Sequence, residues 1–363
     1  MDFDLKKSDF EEFTEDTEQD LNIEDVNVEK ELKIVFFGTP DFAVPVLQGL
    51  IDNYNVKAVV TQPDKPVGRD GALKPSPIKQ LANDNTILVL QPNNIKEEWQ
   101  LVTDLHPNLI VTCAYGQIIP RELLVYPEFG CINVHASLLP KLRGGAPIHR
   151  AIINGYTETG ITIMHMAPSL DSGDIITQKS IPITETDTAS TLHDKLSILG
   201  RDLLLETIPM LKDKTAPRIK QDESLSTYAA NISIEDEKID FSKTTKQIYN
   251  QVRGLNSWPG AYTVLNGKRI KVWECTRSDN NYSNLLDGKI TNIYPDGIGV
   301  KCTNGEIILT VIQPEGKGKM KVADYLNGIQ DKNSLLGKMF EWKKKSKLLK
   351  NFGQYLDIKL LFN

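Results

Sequence analysis

Residues 33–61 read KIVFFGTPDFAVPVLQGLIDNYNVKAVVT, and the rest of the chain repeats their texture. Lys33–Gly38 is a short apolar run closed by a glycine, the pattern of a buried strand. Pro40–Ile51 carries helical spacing, with a proline near its start where the missing N–H costs nothing. Val56–Thr61 is a second apolar run. Strand, helix and strand within roughly 30 residues make a βαβ unit, whose crossover is right-handed and whose strands run parallel. The alternation continues. Strands are predicted at Ile87–Leu90, Leu109–Cys113, Cys131–Val134, Thr162–Met166 and from Ile175, and helices over Ile78–Asn83, Lys96–Leu105, around Pro120–Val125, Ala146–Ile153 and Thr191–Leu211. The predicted fold class is α/β: a doubly wound, mostly parallel sheet covered on both faces, with its ligand site beyond the carboxyl ends of the strands.

Outside this region the texture changes. Residues 213–231 are polar and read as a linker. After a helix at Thr245–Gly254, turn pairs recur at Asn266-Gly267, Asp287-Gly288, Asp296-Gly297 and Asn304-Gly305, a hairpin signature that predicts a small, OB-like β-barrel. The expected division is an acidic leader over 1–31, whose composition reads as disordered, an α/β domain over 32–212, the linker, the barrel over 232–330 and a basic tail over 331–363. The net charge of −6 hides this division. The leader holds 13 acids against three bases, a balance of −10, and the remainder is +4. Such an acidic leader is unlike a mitochondrial presequence, and no apolar run approaches the ~20 residues of a membrane helix. The four cysteines form no C-x-x-C pair, which argues against a zinc site and a disulfide scaffold and for free thiols in a reducing cytoplasm.

Gly38-Thr39-Pro40-Asp41 is not a dinucleotide fingerprint, since a proline and a carboxylate stand where amides would cradle a pyrophosphate. The chemistry concentrates instead in Asn133-Val-His135, at the end of a strand. Strand period points both polar side chains the same way. An amide there can bond a developing oxyanion, and an imidazole can donate to the same oxygen or take a proton from an attacking amine. The turn Leu170-Asp171-Ser172-Gly173-Asp174 offers two carboxylates, either of which can orient the imidazole. His106, His149, His165 and His193 have no comparable polar setting and read as ordinary surface or core histidines.

NVHASLLPKLRGGAPI (133–148), followed by TGITIMHM and LDSGDI, closely resembles the formyltetrahydrofolate-dependent formyltransferase family. The resemblance implies a Rossmann-like catalytic domain, a catalytic set of Asn133, His135 and Asp171, folate contact through Ser137, Leu138, Leu139 and Pro140, 10-formyltetrahydrofolate as co-substrate, and no metal. Over about residues 33–330 it extends to the branch of the family that acts on initiator methionyl-tRNA in translation initiation. KIVFFGTPDFAVPVL, QPDKPVGR…KPSPIK, VRGLNSWPGAY and QPEGKGKM carry that part. It implies RNA contacts by Lys65, Arg69 and Lys74 in the 62–76 loop and by Lys268, Arg269 and Lys271 in the barrel, with neither membrane nor DNA as partner. One departure stands out: Asp70-Gly71-Ala72 follow Arg69 where that branch has further bases. An amino sugar nucleotide as the amine acceptor, or a non-catalytic RNA-binding module on the same scaffold, are the competing readings.

Overall fold

The computed structural model describes residues 32–67 and 71–341. The acidic leader, most of the basic tail and Arg69 lie outside the described residues. In chain order the first part comprises β1 (Lys33–Gly38), α1 (Val44–Asn53), β2 (Asn55–Val60), β3 (Lys65–Val67), β4 (Ala72–Lys74), α2 (Pro77–Asp84), β5 (Leu88–Leu90), α3 (Gln100–Thr103), β6 (Leu109–Cys113), α4 (Arg121–Val125), β7 (Cys131–His135), α5 (Pro147–Ile153), β8 (Glu158–His165), β9 (Ile175–Pro182) and α6 (Ala189–Lys212). Seven of these strands form one sheet in the order β5-β2-β1-β6-β7-β8-β9. The first five run parallel, and β8 and β9 are added antiparallel.

β1 explains why the sheet is doubly wound. Ile34 and Phe36 belong to the core cluster on one face, Val35 and Phe37 to the cluster on the other, and all four are fully buried. A strand apolar on both sides needs helices on both sides. The chain leaves β1 toward β2 and β5, then returns to place β6 and β7 on the other side, so the strand order switches between β1 and β6. The crevice of such a sheet lies at that switch, beyond the carboxyl ends.

The expected boundaries shift where local chemistry decides. The segment after Gly38 makes a 3-10 turn at Asp41–Ala43 before α1, because Pro40 and Pro45 constrain the entry. The helix expected over Lys96–Leu105 shrinks to α3. The loop 62–76 contains a hairpin, β3 with β4, pairing Lys65 with Lys74.

The second part comprises α7 (Ile234–Glu237), α8 (Thr245–Gly254), β10 (Ala261–Leu265), β11 (Lys268–Ser278), β12 (Ile290–Ile293), β13 (Ile298–Cys302), β14 (Gly305–Pro314), β15 (Met320–Lys321) and α9 (Val322–Asn327). Its strands form an antiparallel, barrel-like sheet, ordered β10-β11-β14-β13-β12 with β15 on β14. Asn266 and Gly267 turn β10 into β11 with positive φ at both residues, as an Asn-Gly hairpin requires. No described helix is long and apolar enough to cross a membrane.

Candidate active site

β7 carries Asn133 and His135 to the carboxyl end of the sheet. Asn133 lies in register with Thr112 of β6, and the Thr112 hydroxyl donates to Asn133 Oδ1 at 2.8 Å. That bond fixes the amide: its oxygen is taken, and its Nδ2 donor is the group left for a ligand. Thr112 is a residue that sequence reasoning passed over. A lone hydroxyl inside the apolar run LIVTC was the available signal.

His135 is 6% exposed. Its Nε2 lies 3.1 Å from the carbonyl of Leu142, and its Nδ1 lies 3.7 Å from Asp171 Oδ2. The first is a hydrogen bond; the second is beyond one, and a movement of under ~1 Å would close it. A cationic imidazole has a proton for each acceptor, and a neutral one has a proton for only one. Of the two carboxylates in the LDSGD turn, the structure gives His135 Asp171. Asp174 instead pairs with Arg218 at 3.2 Å. His165, in that neighbourhood, is lowered to about 4 by burial and by Arg218, against the pull of Asp174, and stays a neutral packing residue.

The residues that hold this pair come from a loop and from the segment read as a linker. Leu142 has φ +61°, Gly144 has φ +112°, and Asp171 has φ +47°. Left-handed backbone at two non-glycine residues persists only where the surroundings fix it. Gly144 has to be glycine: a Cβ there would stand 2.9 Å from the Ala229 carbonyl. Its N–H donates to Asp171 Oδ2 at 2.8 Å. Between Leu142 and Gly144 sits Arg143, 2% exposed, with its guanidinium on Glu223 at 2.8 and 2.9 Å and on Gln221 Oε1 at 2.8 and 3.1 Å. Gln221 Nε2 then donates to the carbonyls of Asp171 and Gly173, both at 2.8 Å. Residues 221–229 thus lie along the loop, with Arg143 N bonded to Thr227 O and Ala229 N to Arg143 O. Sequence reasoning did not find Gln221 or Glu223, which stand 78 and 80 residues from Arg143.

Ser137 and Leu139 are buried, while Leu138 and Pro140 are partly exposed. Thr162 Oγ1 donates to the Ser137 carbonyl at 2.7 Å and accepts from Leu139 N, and Gln178 donates to the Leu139 carbonyl. The segment is a braced wall, with Leu139 packed on Met164 and Ile175. Lys65, Lys74 and Lys268 are exposed. Arg269 is engaged with Glu237 at 2.6 Å and stacks 3.7 Å over Tyr262, and Lys271 Nζ donates to the Pro259 carbonyl at 2.8 Å. The two basic sets lie on different sheets, the first on the hairpin and the second on β11. A cavity of about 1230 Å³ opens elsewhere, among Arg150, Asp236, Lys243, Gln251 and Tyr262, and neither Asn133, His135 nor Asp171 lines it.

Residues 32–208 match the formyl transferase family, and residues 231–330 match its C-terminal domain. The chain belongs to the formyl transferase family. Within it, the methionyl-tRNA formyltransferase of Geobacillus sp. (strain WCH70) is 54% identical over 301 residues, 82% of this chain and 94% of its own length. That of Bacillus subtilis (strain 168) is 50% identical over 300 residues, again 82% and 94%. Among solved structures, an N-formyltransferase from Helicobacter canadensis in complex with folinic acid and dTDP-3-aminofucose shares the fold at a TM-score of 0.59 and 22% identity, covering 78% of this chain and 99% of that one.

Proposed function

We propose that this protein transfers the formyl group of 10-formyltetrahydrofolate to the α-amine of methionyl initiator tRNA, with Asn133, His135 and Asp171 carrying the chemistry. The observation that supports the reading best is the 54% identity to a methionyl-tRNA formyltransferase across 82% of the chain. The three side chains gathered at one strand end suit the reaction.

The neutral amine attacks the formyl carbon, a C–N bond forms, and the carbonyl oxygen becomes an oxyanion. Asn133 Nδ2 donates to that oxygen. His135 exchanges the Leu142 carbonyl for it, presenting Nε2–H, while Asp171 takes up the ring from the other side. Each such donor contributes on the order of 10²–10³ in rate. The bond to folate N10 then breaks, and the proton shed by the amine ends on N10, so the exchange balances without a metal or an acyl-enzyme. The donor lies against Ser137–Pro140, met by backbone and by the exposed parts of Leu138 and Pro140. Lys65 and Lys74 on the hairpin and Arg69 of the same loop, with Lys268, Arg269 and Lys271 on β11, hold the RNA, and holding two large substrates in register supplies much of the acceleration. Such a reaction belongs to the cytoplasm, where initiator tRNA is charged.

The test supplies formyltetrahydrofolate with three acceptors side by side: charged initiator tRNA, charged elongator tRNA and an amino sugar nucleotide. Preferential formylation of the initiator is expected. Turnover on the sugar nucleotide alone would overturn the reading in favour of a small amine acceptor.

A further inference from the structure

Trp258 is 70% exposed. An indole is a large apolar surface to leave in water, and most tryptophans are highly buried. Loose structure does not account for it, because the backbone beneath is tied at nearly every residue. Ser190 N donates to the Asn256 carbonyl at 3.1 Å, and the hydroxyls of Ser190 and Ser257 meet at 2.8 Å. Asn256 Nδ2 donates to the Trp273 carbonyl at 2.8 Å, His149 Nε2 meets the Trp258 carbonyl at 3.2 Å, and Lys271 Nζ donates to the Pro259 carbonyl. Gly260 lies so close to Trp273 that a Cβ would stand 2.9 Å from its ring. The ammonium groups of Lys271 and Lys319 sit 5.3 and 5.5 Å from that same ring.

This loop therefore presents one exposed indole, while its Gly260 packs on a second indole that carries two cations. Aromatic faces next to positive charge suit the bases and phosphates of an unpaired nucleic-acid strand, since every base has a face that stacks. Its position suits the same partner. His149, whose imidazole also packs edge-on to Trp258, lies on α5, and α5 begins three residues after Gly144, whose N–H binds Asp171. Through His149 and α5 the loop is linked to the chain segment that runs on from Gly144, next to the candidate active site.

We propose that Trp258 is a stacking platform for the unpaired 3′ nucleotides of the acceptor RNA, with Trp273, Lys271 and Lys319 as its cationic flank. The inference rests on the RNA-acceptor reading above and adds the part of the RNA and the residue that meets it. The experiment measures binding of intact initiator tRNA and of the same tRNA trimmed of its unpaired 3′ nucleotides, for wild type, Trp258→Ala and Trp258→Phe. Replacing a stacking aromatic with alanine weakens binding by about fivefold or more. Trp258→Ala should lose that much on the intact tRNA and nothing on the trimmed one, and Trp258→Phe should stay within about threefold of wild type on both. KM for the folate donor and the thermal midpoint should not move. Equal losses on both RNAs, or no loss on either, would overturn the proposal while leaving tRNA formylation standing. A wild-type protein that neither binds nor formylates the tRNA would overturn both.

Discussion

His135 stands between two oxygens, the Leu142 carbonyl and the Asp171 carboxylate, with almost no solvent contact. Removing the ring removes a donor that no neighbour can replace, so His135→Ala should lower turnover by at least ~10² with the fold intact. Asp171→Asn keeps the shape and the acceptor for Gly144 N–H but loses the charge that faces the imidazole, and turnover should fall by a similar factor. Single-turnover rates with circular dichroism measure both, and near-wild-type rates in either variant would remove that residue from the mechanism. At the same scale Thr112→Val tests the amide. Without the hydroxyl, Asn133 can turn its oxygen toward the oxyanion, and turnover should drop about tenfold or more at unchanged KM, a fraction of the cost of losing a donor outright.

At the scale of elements, the segment 221–229 is part of the wall of the site. Gln221 joins Arg143 to the Asp171 turn, and Arg143 is flanked by the two residues that meet His135 and Asp171. Gln221→Ala leaves a buried guanidinium with one partner fewer and frees the turn. It should lower kcat about tenfold or more while KM for both substrates holds, since the freed turn no longer fixes Asp171 against His135 and a misplacement of about 1 Å can cost on the order of 10²-fold. Glu223→Gln keeps an acceptor for Arg143 and should retain most of the activity. A parallel fall of stability and activity in both variants would mean a packing role only. The hairpin of β3 and β4 belongs to this scale too. Arg69 falls in the sequence between its two strands, so Arg69→Ala should raise KM for tRNA and leave KM for the folate donor alone; an unchanged KM for tRNA would take Arg69 out of RNA binding.

Across the whole molecule, the two sheets are joined by polar clamps. Arg253 of α8 donates to the carbonyls of Thr184 and Asp187 at 2.8 and 2.9 Å. Burial alone would raise the Asp187 carboxyl, but Lys195, Thr184 and Thr191 outweigh it and hold it well below the usual range. Arg150 of α5 grips Asp236 of α7 at 2.7 and 3.1 Å. Its hydrogen bonds bring the Asp236 carboxyl down to about 2, against burial and with help from Ser233. A carboxyl depressed in the folded state stabilises fully above its unfolded pKa, near 3.9, and stops doing so as pH falls through the folded value. The stability gap between wild type and Asp236→Asn should therefore be full at pH 5 and close between about pH 4 and 2, which urea melts at stepped pH will read. A gap independent of pH would show that the ion pair is not its source. Phosphate contacts along the hairpin and β11 should also make KM for tRNA climb steeply with salt.

Local chemistry was enough for the strands and for singling out Asn133 and His135 as candidate reacting groups. KIVFFG is apolar on both sides, so it had to be a central strand, and the spacing of Asn133 and His135 put both at one strand end. Asn266-Gly267 admits few structures other than a tight hairpin. The choice of Asp171 over Asp174 followed from resemblance to a family, because spacing alone leaves two carboxylates on one turn. Tertiary structure decided what is made by chain segments far apart: which carboxylate faces His135, where Arg143 finds its partners, and which lysines are already engaged. A buried guanidinium demands acceptors, but nothing in the sequence near Arg143 says that they arrive from Gln221 and Glu223. The antiparallel turn of β8 and β9 was hidden for the same reason, since an apolar strand carries no mark of its neighbour's direction. Periodicity and turn chemistry act over a few residues, whereas pairing depends on which distant groups the folded chain brings within about 3 Å.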